Sequence, residues 1–168
     1  KKVGICDVTS LGKIEIVGPD AGEFLDRVYI NMFSTLKVGK ARYGVMLRED
    51  GIVYDDGTTS RFAEDRFFMT TTTAKAGPVM AYLERCLEID WPELKVRVSS
   101  VSERWGGMAV AGPDARATLI AAFPSVDFSN EAFPFMGVVH AEHNGAKLIL
   151  LRISFSGEMA FEVYAEAE

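Results

Sequence analysis

The chain has 168 residues, 48% apolar and 25% charged, which is an ordinary globular composition and excludes a disordered chain. At this length roughly two-thirds of the unfolded surface is buried on folding, so neither disulfide nor metal is needed, whether as one domain or as two small subdomains sharing a core. A net charge of −6 and a pI near 5.0 disfavour a nucleic-acid surface, which draws on clustered positive charge, yet leave room for a local basic pocket for a small anion.

Along the chain, Lys1-Lys2 is followed by VGICDVTSLGK, with no sustained apolar stretch of the kind a signal peptide carries, and no apolar run approaches the ~18 residues of a membrane span. No membrane association is expected. Ile14–Val17 then alternates as a strand and runs into Gly18-Pro19-Asp20-Ala21 and an amphipathic stretch, GEFLDRVY. Ninety-four residues later the pattern returns: Met108–Ala111, then Gly112-Pro113-Asp114-Ala115, then RATLIAAF. In both copies Pro falls near a helix start, where its missing N–H is no loss, and Asp follows in the first turn, where it complements the helix dipole. The repeat, near 14–29 and 108–123, predicts two related β-α units.

Between the copies, Tyr43–Leu47 and Ile52–Arg61 alternate around the turn REDG (48–51), a hairpin signature, and Arg66–Thr73 forms a further strand of aromatic and β-branched residues. Gly77-Pro78 opens a helix through Met80, Leu83, Leu87 and Ile89; Pro92 ends it, and Lys95–Ser102 returns as a strand. A loop rich in Phe, Pro and Asn occupies 123–135, and Gly137–Glu142 and Ala146–Ile153 flank Asn144-Gly145, the strongest short hairpin signal. Hairpin-paired strands interrupted by a few helices predict an α+β fold with mainly antiparallel sheets. The chain opens without Met and stops at FEVYAEAE, within a strand, and is expected to be a fragment of a longer polypeptide, truncated at its carboxy end.

Several chemical motifs are absent or weak. Cys6 and Cys86 lie eighty positions apart, a spacing for neither metal nor redox chemistry, and read as two reduced thiols of a cytoplasmic protein. His140-Ala141-Glu142-His143 tempts a metal reading, but on a strand His140 and Glu142 share one face and His143 takes the other, so no metal is assigned. No phosphate loop, dinucleotide fingerprint or nucleophile elbow occurs. Asp55-Asp56 stands out, because acids are disfavoured inside the apolar strand around them. Alternation sends the two carboxylates to opposite faces, and an inward one has a raised proton affinity suited to proton handling. The alternative is a solvated acid beside a bulge at Gly57. Glu158 and Glu162 flank a turn before the last strand; a carboxylate there can meet an amidine-like edge with two parallel hydrogen bonds, or can be a solvated turn acid.

CDVTSLGKIEIVGPDAGEFLDR (6–27), YGVMLREDGIVYDD (43–56), VAGPDA (110–115) and RISFSGEMAFE (152–162) together resemble the folate-binding family that includes glycine-cleavage aminomethyltransferase, or T-protein. Within it, NMFSTLKVGKARYGVMLREDG (31–51), DGTTSRFAEDRFFMTTTTA (56–74) and WPELKVRVSSVSERW (91–105) resemble the heterotetrameric sarcosine oxidase branch, in the carboxy-terminal part of the alpha subunit. The resemblance implies a T-protein-like folate-binding fold over 1–168, with tetrahydrofolate as its small-molecule partner and the other oxidase subunits as protein partners. It implies that a flavin elsewhere in the complex oxidises sarcosine and that tetrahydrofolate captures the one-carbon unit as 5,10-methylenetetrahydrofolate, leaving glycine and hydrogen peroxide. Flavin and NAD belong to other parts of that complex, and this chain alone is not expected to oxidise sarcosine. The family's key aspartate falls on Asp55 as the catalytic acid, and its pterin-binding glutamate on Glu162. Phe155 stands where a tyrosine often precedes that glutamate, and Tyr43 is a further pocket-lining position. Ala160 replaces a glycine common in T-proteins, a departure that suits the oxidase branch. Two other readings remain open: a stand-alone aminomethyltransferase of the glycine cleavage system, and a non-catalytic subunit-docking module.

Overall fold

A computed structural model describes residues 2–167. The chain divides into two compact units, one formed by residues 11–102 and the other by the first ten residues with 103–168.

The unit of residues 11–102 holds β2 (Gly12–Val17), α1 (Ala21–Val28), β3 (Lys40–Leu47), β4 (Val53–Ala63), β5 (Arg66–Thr71), α2 (Ala76–Arg85) and β6 (Arg97–Ser100). Its five strands form one antiparallel sheet in the order β3-β4-β5-β2-β6. Alternation along β2 aims Ile14 and Ile16 at one face, where they are buried with Phe67 and Met69 of β5. Phe24, Leu25 and Val28 form the buried stripe of α1 on the same core. Helix α2 adds Val79 and Leu83 and lies on β2 and β6. The expected helix thus exists: of its named residues Leu83 is buried, Met80 and Leu87 are half-buried, and Ile89 is exposed on a wider, π-helical turn, Cys86–Asp90, closed by Trp91 N–H on Cys86 O.

The other unit holds β1 (Gly4–Asp7), β7 (Trp105–Ala111), α3 (Ala115–Ala122), β8 (Val138–His143), β9 (Ala146–Leu151) and β10 (Ala160–Glu166), again antiparallel, in the order β1-β7-β10-β9-β8. Phe161 and Val163 of β10 and Leu148 and Leu150 of β9 face α3, whose Ala115 and Leu119 are buried. The segment 123–135 is a packed loop: Phe128 and Phe133 enter this core against Phe161, with ring centroids 5.6–5.9 Å apart. Arg152 Nη1 donates to Phe133 O at 2.9 Å and holds it there.

The sequence repeat is a structural repeat. Aligning Ile14 with Met108 turns the order β6-β2-β5-β4-β3 into β1-β7-β10-β9-β8, strand for strand. Both units turn from strand to helix at a glycine of positive φ, Gly18 at 147° and Gly112 at 124°. A Cβ there would lie 2.1 Å from Lys95 O in one unit and 2.6 Å from Lys2 O in the other, so the close backbone approach requires glycine twice. Asp20 and Asp114 occupy the N-cap positions rather than the first turn. Asp20 turns its carboxylate to Lys95 N–H, at 2.8 Å. Of the expected strands, 66–73 closes two residues early and 95–102 narrows to Arg97–Ser100. β1, four residues without alternation, goes unpredicted.

Candidate functional site

Strand β4 carries the first candidate. Its pairing with β3 shifts register between Met46 and Leu47, opposite Asp55 and Val53. Asp55 lies opposite the buried Met46 and is itself only 5% exposed. Thr72, just past β5, meets it twice: its hydroxyl donates to Oδ1 at 2.7 Å and its backbone N–H to Oδ2 at 3.3 Å. Burial raises the proton affinity of the Asp55 carboxyl above the ordinary aspartate value, and the two Thr72 bonds pull the other way. The strands approach closely beside it. A Cβ on Gly57 would sit 2.1 Å from Thr70 O, while the Thr70 hydroxyl exchanges bonds with the backbone of Thr58 at 3.2 Å.

Asp56, the neighbouring acid, points to the opposite face, where the half-exposed Tyr43 donates its hydroxyl to Oδ2 at 2.7 Å. This bond pushes the Tyr43 phenol up, burial and the Asp56 charge adding to it. Of the residues singled out in sequence, then, Tyr43 is joined to Asp56 and Asp55 to Thr72.

In the other unit, β10 places Glu162 and Tyr164 two residues apart on one sheet face, and Phe161 and Val163 on the other, against the core. Tyr164 Oη donates to Glu162 Oε2 at 2.6 Å. Burial raises the Glu162 carboxyl above the usual glutamate value, partly offset by this bond, and holds the Tyr164 phenol well above its own. The Tyr164 ring needs the glycine opposite it: a Cβ on Gly107 would lie 2.8 Å from its Cε1. Phe155 is fully exposed in the loop between β9 and β10, where Ser154 Oγ accepts from Gly157 N–H at 2.8 Å. His143 stands edge-on to Phe123, ring centroids 5.2 Å apart, and His140 and Glu142 are exposed.

Two residues that sequence reasoning passed over complete these arrangements. Tyr164 was legible, since a Glu-x-Tyr step on a strand aims both side chains to one face. Thr72 gave no signal beyond its place in the four-threonine run, because its bond to Asp55 joins positions seventeen apart across a non-local pairing.

The sequence pattern of the GCVT N-terminal domain matches residues 1–168. The chain belongs to that family. It is 55% identical to the sarcosine oxidase subunit alpha of Rhizobium meliloti over 99% of its own length and 17% of that protein's. With the aminomethyltransferase of Listeria monocytogenes serotype 4a it shares 30% identity over 96% of this chain and 42% of that one. Among solved structures, the glycine cleavage system aminomethyltransferase T of Bartonella henselae superposes with a TM-score of 0.82 at 27% identity, covering 97% of this chain and 42% of that one. The chain therefore spans about a sixth of the length of the sarcosine oxidase alpha subunits it matches, and under half that of the aminomethyltransferases. Relatives of both kinds bear the names of enzymes or enzyme subunits. Among the described residues no helix is long and apolar enough to cross a membrane.

Proposed function

We propose that this chain is the tetrahydrofolate-binding domain of a sarcosine oxidase alpha subunit, where the one-carbon unit released by oxidative demethylation of sarcosine is captured as 5,10-methylenetetrahydrofolate. The observation that carries the reading is Asp55, a buried carboxyl of raised proton affinity on an apolar strand, fixed in orientation by Thr72. Such a group holds a proton more readily than an exposed aspartate does. Glu162 suits the pterin: Tyr164 engages Oε2, no hydrogen bond to Oε1 is made among the described residues, and a carboxylate with spare lone pairs accepts the two N–H groups of an amino-pyrimidine edge. Tyr43 and Phe155 are proposed as further folate-binding residues, and positioning the reactants is the main source of rate. The oxidase branch is chosen over a stand-alone aminomethyltransferase on identity, 55% against 30%. Cytoplasmic location and partnership with flavin- and NAD-bearing parts of the complex belong to the same proposal.

The test is made in the assembled oxidase with Asp55→Asn and Glu162→Ala, following hydrogen peroxide, formaldehyde and 5,10-methylenetetrahydrofolate together. Expected for Asp55→Asn is unchanged peroxide, with formaldehyde released in place of the folate product. For Glu162→Ala, calorimetry should show weakened tetrahydrofolate binding. An unchanged product ratio in both variants would overturn the reading and leave a subunit-docking module. The two Thr72 bonds also favour a second reading, in which Asp55 only anchors the start of the segment before α2; loss of folding in Asp55→Asn would support it.

A further inference from the structure

Apart from the candidate acids, the unit of residues 11–102 holds a cleft of about 460 Å³, within the range of roughly 300–1,000 Å³ usual for small-molecule sites. Two irregularities of the backbone build it. On one side is a bulge in β4: Asp55 lies opposite Met46 and Val53 opposite Leu47, so Tyr54 has no partner on β3. A bulge re-aims the extra side chain, and Tyr54 turns to α2, its ring centroid 5.4 Å from that of Tyr82. On the other side is the π-helical turn Cys86–Asp90, which brings Asp90 back to Arg85 at 3.0 Å and delivers Trp91 to the cleft. Single π-turns break the regular ladder of hydrogen bonds and recur at functional sites.

Tyr54, Tyr82 and Trp91 are half-buried and give the cleft an aromatic floor. Trp91 is braced by Phe24, edge-on at 6.1 Å, and by the Arg27 guanidinium, 5.4 Å from its ring centre. The rim carries both signs of charge, Arg48 and Arg85 against Glu49 and Asp90. Arg85 and Asp90 satisfy each other through two contacts. Arg48 uses Nε and Nη2 on Asp50, at 3.3 and 2.6 Å, and its Nη1 makes no hydrogen bond among the described residues. Glu49 makes no ion pair among them. One guanidinium nitrogen and one carboxylate are thus left over beside an aromatic floor. A ligand that meets all three brings a carboxylate, an ammonium and an apolar body.

We propose that this cleft binds a free α-amino acid with an apolar or aromatic side chain, as the zwitterion. The ligand carboxylate takes Arg48 Nη1, its ammonium takes Glu49, and its side chain lies against Tyr54, Tyr82 and Trp91. The four rim charges cancel, which favours a dipolar ligand over an anion or a cation. A cationic group is at home over this floor, since the Lys75 ammonium stands 4.6 Å from the centre of the Tyr54 ring. The inference does not rest on the folate reading, because none of these residues belongs to that site.

The test is calorimetric titration of the assembled full-length protein with L-phenylalanine and with two probes that each lack one charge, 3-phenylpropionate and 2-phenylethylamine. Wild type, Arg48→Met and Glu49→Gln are compared; both side chains are exposed, so neither substitution disturbs the core. Phenylalanine should bind wild type at least about tenfold more tightly than either probe, the worth of one charge-assisted hydrogen bond. Arg48→Met should weaken phenylalanine and phenylpropionate and spare phenylethylamine. Glu49→Gln should weaken phenylalanine and phenylethylamine and spare phenylpropionate. This crossed pattern separates recognition of two charges from a general loosening of the hairpin, which would weaken all three ligands together and overturn the proposal. Failure of wild type to bind phenylalanine overturns it as well. So does binding that neither substitution changes, because the ligand then sits elsewhere.

Discussion

Thr72→Val isolates the interaction that sets the state of Asp55. The substitution keeps the shape of the side chain and the backbone N–H at 3.3 Å from Oδ2, and removes only the hydroxyl bond at 2.7 Å to Oδ1. A hydrogen bond to a charged group is worth about 1.5–3 kcal/mol and one between neutral groups about 0.5–1.5 kcal/mol. Thr72 itself is solvent-exposed, so water partly replaces the lost donor and the lower figures apply. The expected cost is therefore about 1.5 kcal/mol where Asp55 is ionised and about 0.5 kcal/mol where it is protonated. Folding raises the Asp55 carboxyl above its ordinary 3.8, so its contribution to stability is complete below that pH and fades as pH rises through the folded value. Removing the hydroxyl removes a bond that favours the charged form; the folded value rises further, and the stability of Thr72→Val falls more steeply with pH than that of the wild type. Urea unfolding between pH 3.5 and 8 of wild type, Thr72→Val, Asp55→Asn and the double variant measures this directly. The pH-dependent part of the Thr72→Val cost should vanish in the Asp55→Asn background. A cost that is flat with pH, or that persists without the carboxylate, would refute the assignment of this bond and of the buried Asp55 charge.

Tyr164→Phe should raise the Glu162 carboxyl further, read by its side-chain NMR titration, and cost about 1 kcal/mol through the lost bond. Gly18→Ala meets both a positive φ and a carbonyl 2.1 Å away, so a loss of at least about 2 kcal/mol is expected. Gly145→Ala has the same backbone problem at φ 84° but open space around it, so about 1 kcal/mol should suffice; equal losses in thermal unfolding would refute the steric argument at Gly18. Leu83→Ala leaves a cavity between α2 and its sheet and should cost about 2–5 kcal/mol in denaturant unfolding.

What the sequence made legible follows from locality. The two Gly-Pro-Asp-Ala turns and both hairpins are written in consecutive residues whose backbone demands are strong: Gly18 and Gly112 at positive φ, Asn144-Gly145 at φ 51° and 84°, and Gly51 at 79° in the REDG turn. Strand β1 was illegible because Gly4–Asp7 has no pattern of its own; its strand state comes from pairing with β7, a hundred residues away. The same holds at the site. Alternation forecast that Asp55 and Asp56 would face apart, and they do, but which of them is buried depends on the strands around β4. The helix through Met80, Leu83, Leu87 and Ile89 was legible as far as Arg85; beyond it the turn widens, which a 3.6-residue period does not foresee, and Ile89 ends up exposed.

The duplication also explains where chemistry can sit. The scaffold repeats strand for strand, yet neither candidate acid has an acidic counterpart. Glu162 aligns with Phe68, which is buried and stacked on Phe62 at 5.4 Å. Tyr164 aligns with Thr70, and the Gly107 beneath it with Lys13. The large Tyr164 ring thus faces a glycine where the other unit pairs Thr70 with Lys13. Asp55 lies near the start of the eleven-residue β4, at a level where the six-residue β9 is only leaving its Asn144-Gly145 turn. Residues serving the fold recur in both copies because both sheets need the same turns and the same inner face. Residues that break the correspondence at a buried position carry a desolvation cost that packing gives no reason to bear. By that criterion the buried Asp55 and Lys13 and the half-buried Glu162 are functional candidates on the sheets, and the Gly-Pro-Asp-Ala turns, the clearest motif in the sequence, belong to the scaffold.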